Sequence, residues 1–297
     1  MPELPEVEAL RLGLLNHLIG RKIETIQVFK PKLVYSNSNK RIECSYKKNE
    51  FETELKDQVF KSIKRRAKNL IFEFESGKIM IVHLKMTGQM VYQDSNVTTL
   101  GGHPIQLSEN KLPNKHSHII FDLDKGQLFY NDTRMFGYVL YFPSMQEFEK
   151  RDHFKGLGLE PMSEEFTLDY FKAGLKKKNK SIKSVFLEQS VVVGLGNIYC
   201  DETCFLAKVR PDRLCKSLND DEIENLYHYA KLVIDHAIKE GGSSVANYLL
   251  ADGSKGNYAF FHNVYQKSGQ PCKTCKKTLS KIQHAQRSTV FCESCQK

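Results

Sequence analysis

Four cysteines near the end of the sequence constrain this chain more than any other feature. Cys272, Cys275, Cys292 and Cys295 read C-x2-C-x16-C-x2-C. Two such knuckles place four thiolates tetrahedrally around one zinc ion, each knuckle supplying two adjacent ligands. Disulfides are the competing use of the same cysteines. They are disfavoured in a chain without a secretory signal, and the acidic start Met1-Pro2-Glu3-Leu4-Pro5-Glu6 cannot open one. No apolar run approaches the ~18 residues needed to span a bilayer. The expectation is a soluble intracellular protein holding one structural Zn2+. Cys44, Cys200, Cys204 and Cys215 follow no ligand pattern. Cys200 and Cys204, four apart on an expected helix, read as small core residues.

The 297 residues are enough for about two domains and a small appendage. Residues 1–150 look β-rich. Helical spacing appears only at Val7, Leu10, Leu14 and Leu18, and ends at Gly20. Strand-like runs follow over 22–29, 58–65, 69–75, 78–84, 118–122, 127–131 and 138–142, which suggests a sandwich or barrel. The polar stretches 36–49 and 94–115 read as loops. From about residue 164 helical periodicity takes over, at 166–175, 182–188, 198–207, 220–240 and 244–250. The Gly194-Leu195-Gly196-Asn197 turn between two of these is a weak anion-binding signal. Three segments are therefore expected: 1–150, 151–261 and a finger over 262–297.

Charge narrows the partner. Lys and Arg number 44 against 35 Asp and Glu, a net +9. The excess is clustered. Residues 172–183 carry six lysines and no acid, and 262–297 carries six lysines and Arg287 against Glu293 alone. Such patches suit a polyanion, most often nucleic acid.

The second residue carries a chemical opportunity. Once Met1 is removed, Pro2 presents a secondary α-amine, of which roughly a tenth is neutral at pH 7, against well under a thousandth of an ordinary lysine. Its attack on a sugar aldehyde carbon yields an iminium that no loss of a nitrogen proton can neutralise, an electron sink. Glu3 stands beside it as a general acid/base. Alone, the same residues read more simply as an ordinary acidic helix start.

The whole chain decides between these readings by resemblance. Met1-Pro-Glu-Leu-Pro-Glu-Val-Glu8 resembles the start of the formamidopyrimidine-DNA glycosylase family, which removes oxidised purines from DNA. Lys64-Arg-Arg-Ala-Lys68, His83-Leu-Lys-Met-Thr-Gly88, Lys115-His-Ser-His118 and Asp132-Thr-Arg-Met-Phe-Gly137 are similar to its catalytic-lysine and DNA-facing segments. Gly194-Leu-Gly-Asn-Ile-Tyr199 with Asp201-Glu202 resembles its helix–two-turns–helix element, and His284-Ala-Gln-Arg-Ser-Thr289 its zinc hairpin. The motifs occur in the family's order along the full length.

The resemblance implies an α+β multidomain fold: an N-terminal β-sandwich with flanking helices, a helix–two-turns–helix domain and a zinc-bound β-hairpin. It implies a bifunctional glycosylase and AP lyase in base excision repair, acting on 8-oxoguanine and formamidopyrimidines by Schiff base and β,δ-elimination. Pro2 is then the nucleophile, Glu3 the acid/base, Lys68 an aid to elimination and Arg287 the phosphate clamp. Guanidinium suits that clamp because its planar fork grips phosphate bidentately and stays charged. His83, His116, Lys178, Lys183 and Asn197 are implied DNA contacts. Met86, Arg134 and Phe136 are implied to fill the hole left by the extruded base, which offsets part of an unstacking cost of a few kcal/mol. The implied partner is damaged double-stranded DNA, met by a monomer in a bacterial cytoplasm, with no membrane.

Two residues depart from the family pattern. Met135 stands where a basic residue is usual, and Thr133 where proline is usual. Leu4, and the loop Asp252-Gly-Ser-Lys-Gly-Asn257, favour this enzyme over its endonuclease VIII-like sister, which prefers oxidised pyrimidines. A non-catalytic zinc-dependent damage-binding protein is the alternative of another class; Pro2, Glu3 and Lys68 argue against it.

Overall fold

The computed structural model describes residues 1–35, 48–96, 98–102, 112–243 and 256–297. They divide into two compact units, Met1–Lys155 with Gly241–Asn257, and Gly156–Glu240 with Tyr258–Lys297.

The first unit runs α1 (Leu4–Leu18), β1 (Ile23–Val28), α2 (Lys32–Tyr35), α3 (Lys48–Leu55), β2 (Phe60–Arg66), β3 (Asn69–Phe74), β4 (Ile79–His83), β5 (Gly88–Gln93), β6 (Thr98–Gly102), β7 (Ser117–Leu123), β8 (Gln127–Asp132), β9 (Tyr138–Phe142) and α4 (Met145–Lys150). The strands form two antiparallel sheets, β1-β7-β8-β5-β6 and β2-β3-β4-β9. Phe60, Phe72, Phe74 and Val82 from the smaller sheet share one core with Val28, Met90, Phe121 and Tyr130 from the larger. The apolar stripe of α1 (Val7, Leu10, Leu14, Leu18) joins the same core. Each such side chain, fully buried, contributes about 1.5–3 kcal/mol. Strands β4 and β9 are buried on both faces, because Ile79, Ile81, Leu140 and Phe142 pack outward against Phe148 of α4. Their sequences are accordingly continuous apolar runs, not alternating ones.

Every strand expected from the sequence is present. Two others, β5 and β6, carried no signal. Thr98–Gly102 lies within the stretch read as a loop, yet pairs antiparallel with β5. Its threonines and glycines show no alternation, so the partner strand rather than the local sequence makes it a strand. Helix α3 likewise begins at the edge of the other expected loop. Residues 36–47 with Cys44, residues 97 and 103–111, the expected helix over 244–250 and most of the 252–257 loop lie outside the described residues.

The second unit holds α5 (Leu168–Lys176), α6 (Ile182–Glu188), α7 (Asn197–Leu206), α8 (Asp220–Lys239) and the hairpin β10 (Ser280–His284) and β11 (Arg287–Phe291). Thr167, Ser181 and Asn219 cap α5, α6 and α8 by accepting a backbone N–H three residues on. Packing groups the chain differently from the sequence boundaries. Glu202, fully buried, accepts the N–H groups of Asn263, Val264 and Tyr265, which fastens the finger to the helices. Ser243 donates to Glu6 and bridges Asn257, which ties that segment to the first unit. Among the described residues no helix is long and apolar enough to cross a membrane.

Candidate active site and nucleic-acid interface

Met1 is 51% exposed while Pro2 and Glu3 are buried at the entrance to α1. A capping box holds this start in place. The Glu3 N–H donates to Glu6 Oε2 at 2.8 Å, and Glu6 Oε1 accepts the Ser243 N–H at 2.7 Å. Gly242 has φ +85°, and a Cβ there would stand 2.7 Å from Glu6 Oε1, so both backbone and space require glycine.

A second network joins α1 to the lysine hairpin. Glu8 takes Arg11 at 2.6 Å and Arg65 Nε at 2.9 Å. Burial raises the Glu8 carboxyl, but the two guanidiniums prevail and hold it below the usual carboxylate range. Arg65 also donates to Ala67 O at 3.0 Å. Ala67 (φ +53°) and Lys68 form the two-residue turn between the paired Arg66 and Asn69. Lys68 emerges only 3% exposed, as part of a framework and not on a loose surface loop.

His83 ends β4 and is 9% exposed. Its Nδ1 accepts the Lys85 N–H at 2.9 Å, so a neutral ring carries its proton on Nε2. Burial, then the Lys85 and Lys68 ammoniums, push its pKa well down. Most of the ring is therefore interior, and only its outer edge is open to solvent. Behind it the Tyr138 hydroxyl donates to Asn69 Oδ1 at 3.0 Å, next to Lys68. His116 is half-buried, its N–H donating to Asn114 Oδ1 at 2.9 Å.

Met86 and Phe136 are 39% and 40% exposed, unlike core residues of a sandwich. Arg134 brings them together. Its guanidinium lies 4.6 Å from the Phe136 ring centre, and Nη1 is 3.3 Å from Met86 Sδ. Met135, at φ +52°, turns the other way and packs against the sandwich core. Its departure from the family pattern thus faces inward, whereas Thr133 faces solvent.

In the second unit the lysine run resolves into unequal members. Lys172 and Lys176 pair with Asp220, and Lys180 with Glu188. Lys178 has no carboxylate partner among the described residues and is partly exposed. Lys183 corrects an expectation. It is fully buried, 2.6 Å from the equally buried Asp201, and reaches Ser288 O at 3.4 Å. No phosphate can touch an ammonium so enclosed; Lys183 is an internal cation. Burial pushes Asp201 up to about 7 against the pull of that ammonium.

Asn197 opens α7, its Nδ2 donating to Ser288 O at 3.1 Å, while Oδ1 is buried with no partner among the described residues. Asp201 Oδ2 accepts the Val290 N–H at 3.2 Å. Strand β11 is thus held at Ser288 and Val290, and exposed Arg287 leads it from a two-residue turn, Ala285-Gln286, with φ +48° and +57°.

The sulfurs of Cys272, Cys275, Cys292 and Cys295 lie within 4.8 Å of one another, with Cys272–Cys295 at 3.9 Å and Cys275–Cys292 at 3.4 Å. Tetrahedral Zn–S bonds require about 3.8 Å between sulfurs. The four thiols fit one structural zinc ion, and four protein ligands leave no position for water.

Sequence reading missed the supporting residues Glu6, Glu8 and Asp132. Glu6 had a signal in its spacing of three from Glu3, and Glu8 and Asp132 stand within the family-like segments, but their partners Arg65 and Thr87 lie too far along the chain to be read from it.

The chain matches three family models, described as formamidopyrimidine-DNA glycosylase N-terminal domain over residues 1–139, its H2TH domain over 157–248, and a zinc finger found in FPG and IleRS over 269–297. Among curated relatives, formamidopyrimidine-DNA glycosylase of Rickettsia africae is 37% identical, covering 100% of this chain and 99% of the relative. That of Desulfitobacterium hafniense is 36% identical over 100% of both. Among solved structures, a Lactococcus lactis FPG variant in complex with Fapy-dG-containing DNA superposes with TM-score 0.86 at 33% identity, covering 100% of each chain. MutM in complex with carbocyclic 8-oxo-G-containing DNA gives 0.84 at 33%, again over 100% of both.

Proposed function

Because the chain belongs to the formamidopyrimidine-DNA glycosylase family, we propose that it excises oxidised purines, 8-oxoguanine and formamidopyrimidines, from double-stranded DNA and then cleaves the strand as an AP lyase. The observation that carries this reading is Pro2 buried beside Glu3 at a helix start that Glu6 immobilises. With Met1 gone, the Pro2 amine attacks deoxyribose C1′ as the glycosidic bond breaks and the base leaves with a proton. The Pro2 nitrogen gives up its own proton, the C1′–O4′ bond opens with O4′ protonated, and the ring-opened sugar is left as an iminium on Pro2. Glu3 manages the protons of these steps. The iminium then draws electrons as the C2′ proton is lost and the 3′ phosphate departs; a second elimination releases the 5′ phosphate. Lys68 assists elimination. Arg287, Asn197, His116 and Lys178 hold the backbone, and Met86, Arg134 and Phe136 occupy the vacated stack. The enzyme acts as a monomer in the cytoplasm.

Borohydride trapping tests the reading. Pro2→Gly should lose most covalent attachment to abasic-site DNA while still binding an uncleavable abasic analogue. Wild-type-like attachment through Lys68 in this variant would overturn the assignment. A panel of duplexes with single lesions ranks oxidised purines against oxidised pyrimidines, and a pyrimidine preference would move the chain to the sister class.

A further inference from the structure

The three wedge residues come from separate turns, Met86 between β4 and β5 and Arg134 with Phe136 between β8 and β9. One buried carboxylate joins those turns. Asp132 is fully buried at the end of β8, paired in register with Gly88. Its Oδ1 accepts the Thr87 hydroxyl and the Arg134 N–H, the latter at 3.1 Å, and its Oδ2 accepts the Gly137 N–H at 2.9 Å. The Arg134 N–H also reaches Thr87 Oγ1 at 3.1 Å. Gly137 leaves no alternative packing, since a Cβ there would fall 1.8 Å from the Tyr130 hydroxyl.

We propose that Asp132, acting with Thr87, is the positioning residue for lesion extrusion, fastening the two turns so that Met86, Arg134 and Phe136 form one preassembled plug before DNA arrives. The inference rests on the wedge reading above. The physical argument is entropic. Two independent turns would each have to be ordered at the moment the base leaves the stack, and that ordering would subtract from the stacking regained. Several hydrogen bonds converging on one buried carboxyl group hold both turns in advance. Asp132 touches no reacting atom, so the Schiff-base chemistry should not depend on it.

Thr87→Val removes the bridge at constant shape. Asp132→Asn places an amide N–H against a donor already present on one side. Each is compared with the wild type on a fully paired lesion duplex and on a single-stranded abasic oligonucleotide, with 2-aminopurine beside the lesion reporting unstacking and thermal melting reporting stability. Losing one such buried bond should slow excision from the paired duplex about tenfold, diminish the fluorescence rise, and leave borohydride trapping on the single strand near wild type. Equal losses on both substrates that track a lowered melting temperature would reduce Asp132 to a fold-holding residue. Wild-type rates in both variants would overturn the proposal outright. A wild-type protein that excises without unstacking the probe would instead overturn the wedge reading beneath it.

Discussion

The Lys183 ammonium lies 2.6 Å from the Asp201 carboxylate, both fully buried, and the two reach Ser288 O and the Val290 N–H of the finger's second strand. A basic residue inside a lysine-rich run is thus a strut for the hairpin that presents Arg287. Burying both ions is expensive, and removing one leaves the other uncompensated.

Lys183→Met should therefore destabilise the protein by about 3–5 kcal/mol. Denaturant unfolding measures this directly. A variant as stable as the wild type would show that the pair carries no net weight in the fold.

Lys178→Ala should behave in the opposite way. Stability stays unchanged, and the slope of log affinity for DNA against log salt flattens by about one unit, the signature of one lost phosphate contact. Phe136→Ala should leave that slope unaltered. A salt titration of binding with both variants separates charge from shape.

Removal of zinc should undo the finger. Cys275→Ser or Cys292→Ser should lose the metal and DNA affinity together, read by metal analysis and binding, since four thiolates serve structure and not chemistry. Purified wild-type protein free of zinc but fully active would mean that the hairpin is held otherwise.

The finger's turn is locally strained. Ala285 and Gln286 both occupy the left-handed region, where side chains other than glycine cost about 1–2 kcal/mol each. Gln286→Gly should raise stability by about 1 kcal/mol in unfolding experiments and leave the salt slope of DNA binding intact, because Arg287 is retained.

Acid should weaken the second unit through His262. Burial pushes this 3%-exposed imidazole down to about 4, and the Lys267 and Lys273 ammoniums add to it, while Glu202 pulls the other way. Its folded pKa lies below the unfolded value near 6.5, so unfolding takes up a proton. The stabilisation is complete above about pH 6.5 and fades as the pH falls toward 4. Unfolding free energies at pH 7 and pH 5 should differ in that direction, and His262→Phe should flatten the difference.

Much of the molecule was legible residue by residue. The cysteine spacing specifies the zinc hairpin because tetrahedral thiolate geometry tolerates few alternatives. The runs at Ile79–His83 and Tyr138–Phe142 announce buried strands because only a strand enclosed on both faces needs unbroken apolar sequence. Pro2 and Glu3 offer an amine type and an adjacency that suit Schiff-base chemistry, but alone they read as a helix start, and it is the order of motifs along the whole chain that singles them out. What tertiary structure decided is which of several identical side chains is outside. Lys178 and Lys183 are both lysines of one run, and Met86 and Met135 are both methionines in turns, yet one of each pair faces solvent and the other the core. Composition cannot distinguish them, because exposure is set by partners distant in sequence: Asp201 eighteen residues beyond Lys183, and Asp132 forty-five residues beyond Thr87.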